Sequence, residues 1–106
     1  MELIKTEKLN KLFSYYHPLL TKKQAEYFKL YYYEDYSLAE IAEISNVSRS
    51  AVYDQLQNVE KKLNELENKL KLEEKETLRR KYYDKYIKTN DSKYLKMMIE
   101  VDEQDE

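Results

Sequence analysis

The chain has 106 residues, 42% of them hydrophobic and 38% charged, with 19 basic residues against 21 acidic ones. That length suits one domain with a small core, and a net charge of −2 argues against a general nucleic-acid binder, which is basic overall. Cysteine and glycine are absent and histidine occurs once, which excludes disulfides, thiolate metal sites, cysteine nucleophiles and glycine-rich phosphate loops.

The opening stretch MELIKTEKLNKLF is charged throughout and lacks the apolar segment of a secretory signal. No apolar run reaches the roughly 20 residues of a membrane span, so a cytoplasmic protein is expected. A glycine-free chain rich in Lys, Glu, Leu and Tyr reads as all-α. Where its backbone turns left-handed, Asn or Asp must serve in place of glycine, and Asp35, Asn46 and Asn90 are the candidates.

The first helix spans residues 3 to 16, with Leu9, Leu12, Phe13 and Tyr16 at the i, i+3, i+4, i+7 positions of one face. His17-Pro18 ends it, because the residue before a proline leaves the α region; His17 is read as structural. TKKQ at 21 to 24 is a capping box that opens a second helix over 22 to 34. Its apolar residues Tyr27, Phe28, Leu30, Tyr31 and Tyr32 nearly surround the axis. The run Tyr31-Tyr32-Tyr33 raises base stacking as one reading; rings that pack the core with their hydroxyls in solvent are the commoner one.

SLAE at 37 to 40 is a second capping box and opens a short helix to about residue 44. Ile41 and Ala42 face inward, and the small Ala42 lets another helix approach. Asn46 takes the left-handed turn, Val47 plugs the core beneath it, and Ser48 caps the next helix. Short helix, tight turn and second helix together form a helix-turn-helix. From Ser48 a long helix carries Val52, Leu56, Val59, Leu63, Leu66 and Leu70, a heptad seam that fails at Glu73 and Thr77. Val52 to Val59 must close the helix-turn-helix. Leu63, Leu66 and Leu70 either pack on their own chain or form a homodimer seam.

Residues 69 to 88 hold eight basic residues against four acidic ones. Arg79, Arg80, Lys81 and Lys85 form a basic patch there, interleaved with Tyr82, Tyr83 and Tyr86. A solvated face with Glu–Lys pairs is the commoner meaning of such a run; contact with RNA backbone and unpaired bases is the functional one. Thr89-Asn90-Asp91 breaks the chain before a short amphipathic helix with Leu95, Met98 and Ile99 on one face. The expected organisation is a helix-turn-helix domain over 1–60, a helical extension over 61–101 packing on it or on a second chain, and an acidic frayed tail over 102–106.

The segment LTKKQAEYFKLYYYEDYSLAEIAEISNVSRSAVYDQLQNVEKKL, residues 20 to 63, resembles the promoter-reading C-terminal domain (region 4) of sigma factors. It is more similar still to the small bacterial YlxM family, most specifically over YYYEDYSLAEIAEISNVSRSAVYD. That resemblance implies a sigma region 4-like helix-turn-helix encoded beside the signal recognition particle GTPase and its receptor, and a role in, or in regulating, that targeting pathway. The particle's protein or RNA components are then the expected partners. The chain departs from related domains at Asp35, where they carry glycine, and at Ser45, where they carry a bulky apolar residue. It also lacks their basic residues near Gln57 and Asn58.

Three function classes compete. A DNA reader would present Ser48, Arg49, Ser50, Tyr53, Asp54 and Gln57 to the major groove, with Arg49 suited to guanine and Gln57 to adenine. Yet residues 48 to 58 hold one arginine and one aspartate, and phosphate contacts need several cations; duplex binding is expected to be weak. An adaptor or regulator of the targeting machinery would use the same residues, or the basic patch, on a protein or RNA. An enzyme has nothing to recommend it: Glu73 and Glu74 point to different helix faces and no nucleophile has a base beside it. No cofactor and no metal are expected.

Overall fold

The computed structural model describes residues 3–103. The described residues form six α-helices with short 3₁₀ and π segments. They fall into two compact units, Met1–Lys69 and Leu70–Glu106.

In the first unit, helix α1 (Leu3–Tyr16) passes into a 3₁₀ turn at His17–Leu19, with Pro18 in its opening positions. Helix α2 (Lys22–Phe28) starts at the expected capping box. The Gln24 N–H donates to Thr21 Oγ1 at 3.1 Å, and the Thr21 N–H donates to Gln24 Oε1 at 3.0 Å. Two otherwise orphaned donors are thereby satisfied.

The second helix does not run on as α to residue 34. From Lys29 to Tyr33 it is a π segment, in which the Glu34 N–H reaches back to the Lys29 carbonyl at 3.0 Å. This wider turn sets residues five apart above one another. Tyr33 accordingly meets Phe28 edge-on, with ring centroids 6.0 Å apart, and Phe13 at 5.7 Å. Phe28 stacks on Phe13 at 4.2 Å and 5°. The wider turn accompanies the entry of Tyr33 into the Phe13–Phe28 pair. Asp35 then closes the segment in the left-handed region, at φ 58°.

Helix α3 (Leu38–Ser45) begins at the second capping box, with reciprocal bonds between Ser37 and Glu40 of 3.0 Å each. It ends at Asn46, left-handed at φ 56°. Ser48 then caps α4 (Arg49–Leu70), accepting from the Ala51 N–H at 3.1 Å.

Two apolar clusters hold this unit together. Tyr27, Ile41, Ala42, Val52 and Leu56 close the helix-turn-helix, with Val47 packed against them beneath the turn. Leu9, Leu12, Phe13, Tyr16, Phe28, Val59 and Leu63 form the other, with Leu66 partly buried beside it. Polar links tie α1 to the same stretch of α4: Tyr16 donates to Glu67 at 2.7 Å, and Lys5 pairs with Glu60 at 2.9 Å.

Along the leucine seam, Leu63 is fully buried against α1 of its own chain and Leu66 is partly buried. Leu70 is 42% exposed.

The second unit is a helical hairpin of α5 (Leu72–Thr89) and α6 (Lys93–Glu100), followed by a 3₁₀ turn at Val101–Glu103. Lys85 lies over the Tyr94 ring and Arg79 reaches Asp102, so α6 runs back along α5. Asn90, left-handed at φ 56°, makes the turn between them. The break before α5 carries no such signal in the sequence: Lys71 adopts φ 57°. The half-covered residues of α5 are Glu73, Lys75, Glu76, Leu78, Arg79, Tyr82 and Tyr86.

On α6 the packed stripe differs from the expected one. Tyr94, Met97, Met98 and Val101 are covered, whereas Leu95 and Ile99 are 41% and 69% exposed. Val101, just past the helix, completes an i, i+3, i+4, i+7 set that competes with Leu95–Met98–Ile99 and wins. Of the acidic tail, Asp102 and Glu103 sit in the 3₁₀ turn; residues 104–106 lie outside the described residues.

Candidate contact face of the helix-turn-helix

Asn46 and Ser48 aim α4. The left-handed Asn46 lets the chain double back within three residues, its N–H and that of Val47 returning to carbonyls of α3. Val47 anchors the turn from below, and Val52 and Leu56 face the core. Their helical neighbours are therefore forced outward. Ser48, Arg49, Ser50, Tyr53, Asp54 and Gln57 are all exposed, so the structure brings the expected contact residues together on one face. Arg49 forms no ion pair among the described residues, and Tyr53 is 51% exposed.

The basic patch on α5 is organised differently. Arg79 donates to Asp102 at 2.7 Å and lies 3.6 Å from Glu76. Arg80 reaches Glu76 at 3.2 Å. Both arginines are thus engaged by carboxylates of their own unit. Lys81 and Lys85 are exposed at i, i+4, with Lys88 continuing the stripe. Exposed pairs of this kind contribute little to stability, but they partly neutralise the charge that an anion would meet at the arginines.

Two features near these residues are not evident from the sequence pattern. Beside the turn, Lys22, Lys23, Glu26, Tyr27, Leu30, Ile44 and Ser45 line an open groove of about 570 Å³. Lys23 stands 5.7 Å from the centre of the Tyr27 ring, and the buried Tyr27 hydroxyl has no hydrogen-bond partner among the described residues. The small side chain at Ser45 was the one sequence signal for this opening. In the second unit, Glu76, Arg79, Arg80, Tyr83 and Met98 line a groove of about 380 Å³.

The electrostatics of the helix-turn-helix are mild. Glu40 accepts from the Ser37 N–H and hydroxyl, which hold its carboxyl below the usual range. Burial, reinforced by Glu60 and Tyr31, pushes the Tyr32 phenol up to about 12. No group of three or more His, Cys, Asp or Glu side chains among the described residues is placed to hold a metal ion. No helix among them is long and apolar enough to cross a membrane.

An all-helical chain whose best-defined surface is the outward face of a capped turn and second helix is a helix-turn-helix protein. It belongs to the UPF0122 family, described as "Putative helix-turn-helix protein, YlxM / p13 like", which matches residues 3–103. The chain is 45% identical to a UPF0122 protein of Streptococcus suis over 102 residues, 95% of this chain and 90% of that protein. It is equally similar to a UPF0122 protein of Streptococcus agalactiae, at 45% identity over 95% of this chain and 93% of the other. The UPF0122 protein YofM of Lactococcus lactis is 56% identical over 72 residues, 68% of this chain and 65% of that protein.

Proposed function

We propose that this chain is a non-enzymatic helix-turn-helix adaptor or regulatory protein of the signal recognition particle targeting pathway, acting in the cytoplasm. The observation that carries this reading is the exposed α4 face: it is built for contact, yet Arg49 is its lone cation and Asp54 stands beside it. Duplex DNA is held chiefly through several phosphate neutralisers, and this face supplies one. Its dissociation constant for duplex is then on the order of 10⁻⁴ M or weaker at physiological salt. Resemblance to proteins encoded beside the particle's GTPase and receptor supports particle protein or RNA as the partner. Contact with RNA would fall to Lys81 and Lys85, with Arg79 and Arg80 exchanging their present carboxylates for phosphate.

A DNA-binding transcription regulator is the second reading. It is favoured by the family's helix-turn-helix description and by Lys22 and Lys23, which share a groove with Ser45 just before the turn. These lysines would add the cations that α4 lacks. A homodimer through Leu63, Leu66 and Leu70 is compatible with either reading only in part, since Leu70 is exposed, Leu66 partly buried and Leu63 buried against α1.

Affinity recovery of the tagged full chain from native lysate, with and without nuclease, separates the readings. The first expects the particle's GTPase or RNA to co-purify. Nuclease-sensitive recovery of DNA, with nanomolar duplex affinity that depends on Arg49 and on sequence, would overturn it in favour of the second.

A further inference from the structure

The tyrosine run is only partly spent on the core. Tyr27 is buried and Tyr32 packs on Phe28 at 4.4 Å. Tyr31, Tyr32 and Tyr36 also line an open pocket of about 330 Å³, together with Thr6 of α1 and Asp35. Tyr31 and Tyr32 stand at 85° to each other, with centroids 5.0 Å apart, and so make a right-angled corner. Tyr36 is fixed by its own N–H, which donates to the Leu30 carbonyl at 2.9 Å across the end of the π segment.

Asp35 supplies the carboxylate among the described lining residues, and it has no ion pair or hydrogen bond among the described residues. Its left-handed backbone sets it between Glu34 and Tyr36 at the pocket's edge. Nearby Glu60 is occupied by Lys5 at 2.9 Å. Among the described residues, no basic side chain lines the pocket.

We propose that this pocket binds an organic cation, an alkylammonium or guanidinium head group, against the tyrosine rings with Asp35 as its counter-ion. Aromatic rings carry negative potential on their faces and attract such cations, the more so where the rings exclude water. An anion finds no positive partner among the described lining residues. A hard metal ion needs six or more oxygen ligands, and one carboxylate with three phenols and a threonine hydroxyl does not supply them. Burial pushes the Tyr32 phenol up to about 12, so its ring remains an uncharged wall of the corner. The cation can be a free amine or the end of a partner's lysine or arginine, and both offer the same head group.

The test is an NMR titration of the ¹³C,¹⁵N-labelled full chain with tetramethylammonium chloride, spermidine and Nα-acetyl-arginine amide, each against sodium chloride at matched ionic strength. Saturable shifts confined to the signals of Tyr31, Tyr32, Asp35 and Tyr36, with a dissociation constant on the order of 10⁻³ M, are expected. Asp35→Asn should weaken binding about tenfold without refolding the turn, because asparagine tolerates the left-handed conformation. Tyr31→Leu should do the same from the aromatic side. Binding of tetramethylammonium and spermidine alone supports the site and makes a small organic ammonium ion its ligand. Preference for the arginine amide supports it and makes a partner's side chain the ligand. Shifts no different from those of sodium chloride, or equal affinity in the parent and both variants, would overturn the proposal.

Discussion

Leu63 and Leu70 belong to one heptad seam in the sequence but lie in different surroundings, and truncating each to alanine separates the two meanings of that seam. Leu63 is fully buried among Leu9, Leu12, Phe13, Tyr16 and Val59. Leu63→Ala removes three methyl-sized groups from a packed site and leaves a cavity that α1 can only partly fill, at a cost of about 3 kcal/mol. At roughly 4–8 °C per kcal/mol for a domain of this size, the melting temperature should fall by about 10–25 °C. Leu70 is already 42% exposed, so Leu70→Ala should cost about 1 kcal/mol or less. Helix loss followed by circular dichroism at two protein concentrations a hundredfold apart measures both. If a second chain supplied the cover, the two variants would lose comparable stability and the parent's melting temperature would rise with concentration by mass action. Equal losses, or a parent melt that moves with concentration while Leu63→Ala matches the parent at the lower one, would refute the assignment of Leu63 to the intramolecular core.

Ala42→Leu should overpack the crossing of α3 with Val52 and Leu56 and destabilise the chain by about 1–3 kcal/mol in urea; a variant that unfolds like the parent would contradict the packing in that cluster. Lys71→Gly should stabilise by about 1 kcal/mol, since glycine adopts positive φ without the steric cost lysine bears; a loss of stability would mean the residue is not left-handed in solution. Tyr32 keeps its proton more tightly in the folded chain than in the unfolded one, so its contribution is complete below pH 10 and is lost as pH rises towards about 12; alkaline melts of the parent should show that extra loss and those of Tyr32→Phe should not. Glu40 has the opposite sign. Its depressed carboxyl contributes above the ordinary carboxylate range and loses that contribution as pH falls through the folded value, so acid sensitivity should diminish in Ser37→Ala, as read by melts between pH 7 and 3.

What could be read in the sequence was what is encoded within one turn of helix. Both capping boxes lie in four-residue windows, and the donors they satisfy are neighbours of the side chains that satisfy them. Asp35, Asn46 and Asn90 stood out because a chain without glycine has few other residues that tolerate positive φ. The outward face from Ser48 to Gln57 follows from Val52 and Leu56 facing inward. The π segment could not be read this way, because it is stabilised by Tyr33 meeting Phe13 twenty positions earlier. Lys71 escaped for the converse reason: lysine has no left-handed preference, so its positive φ has no signal in the residue type. The pairing of Arg79 with Asp102 spans 23 positions, so a basic run in the sequence becomes a partly neutralised surface in the fold.

The four left-handed residues also bear on function. Two of the three Asx positions, Asn46 and Asn90, carry neutral side chains at helix ends. Asp35 is the exception, with a charge that its backbone role does not require, since asparagine would turn the chain equally well. Its carboxylate finds no cation in the described chain, although Lys5 lies near enough to serve Glu60 beside the same tyrosines. An unpaired charge at the edge of an aromatic corner makes the site complementary to a cation supplied from outside. Asp35→Asn therefore separates the turn from the charge: it preserves the first and removes the second. A change in cation binding at unchanged melting temperature would assign the carboxylate to recognition rather than to folding.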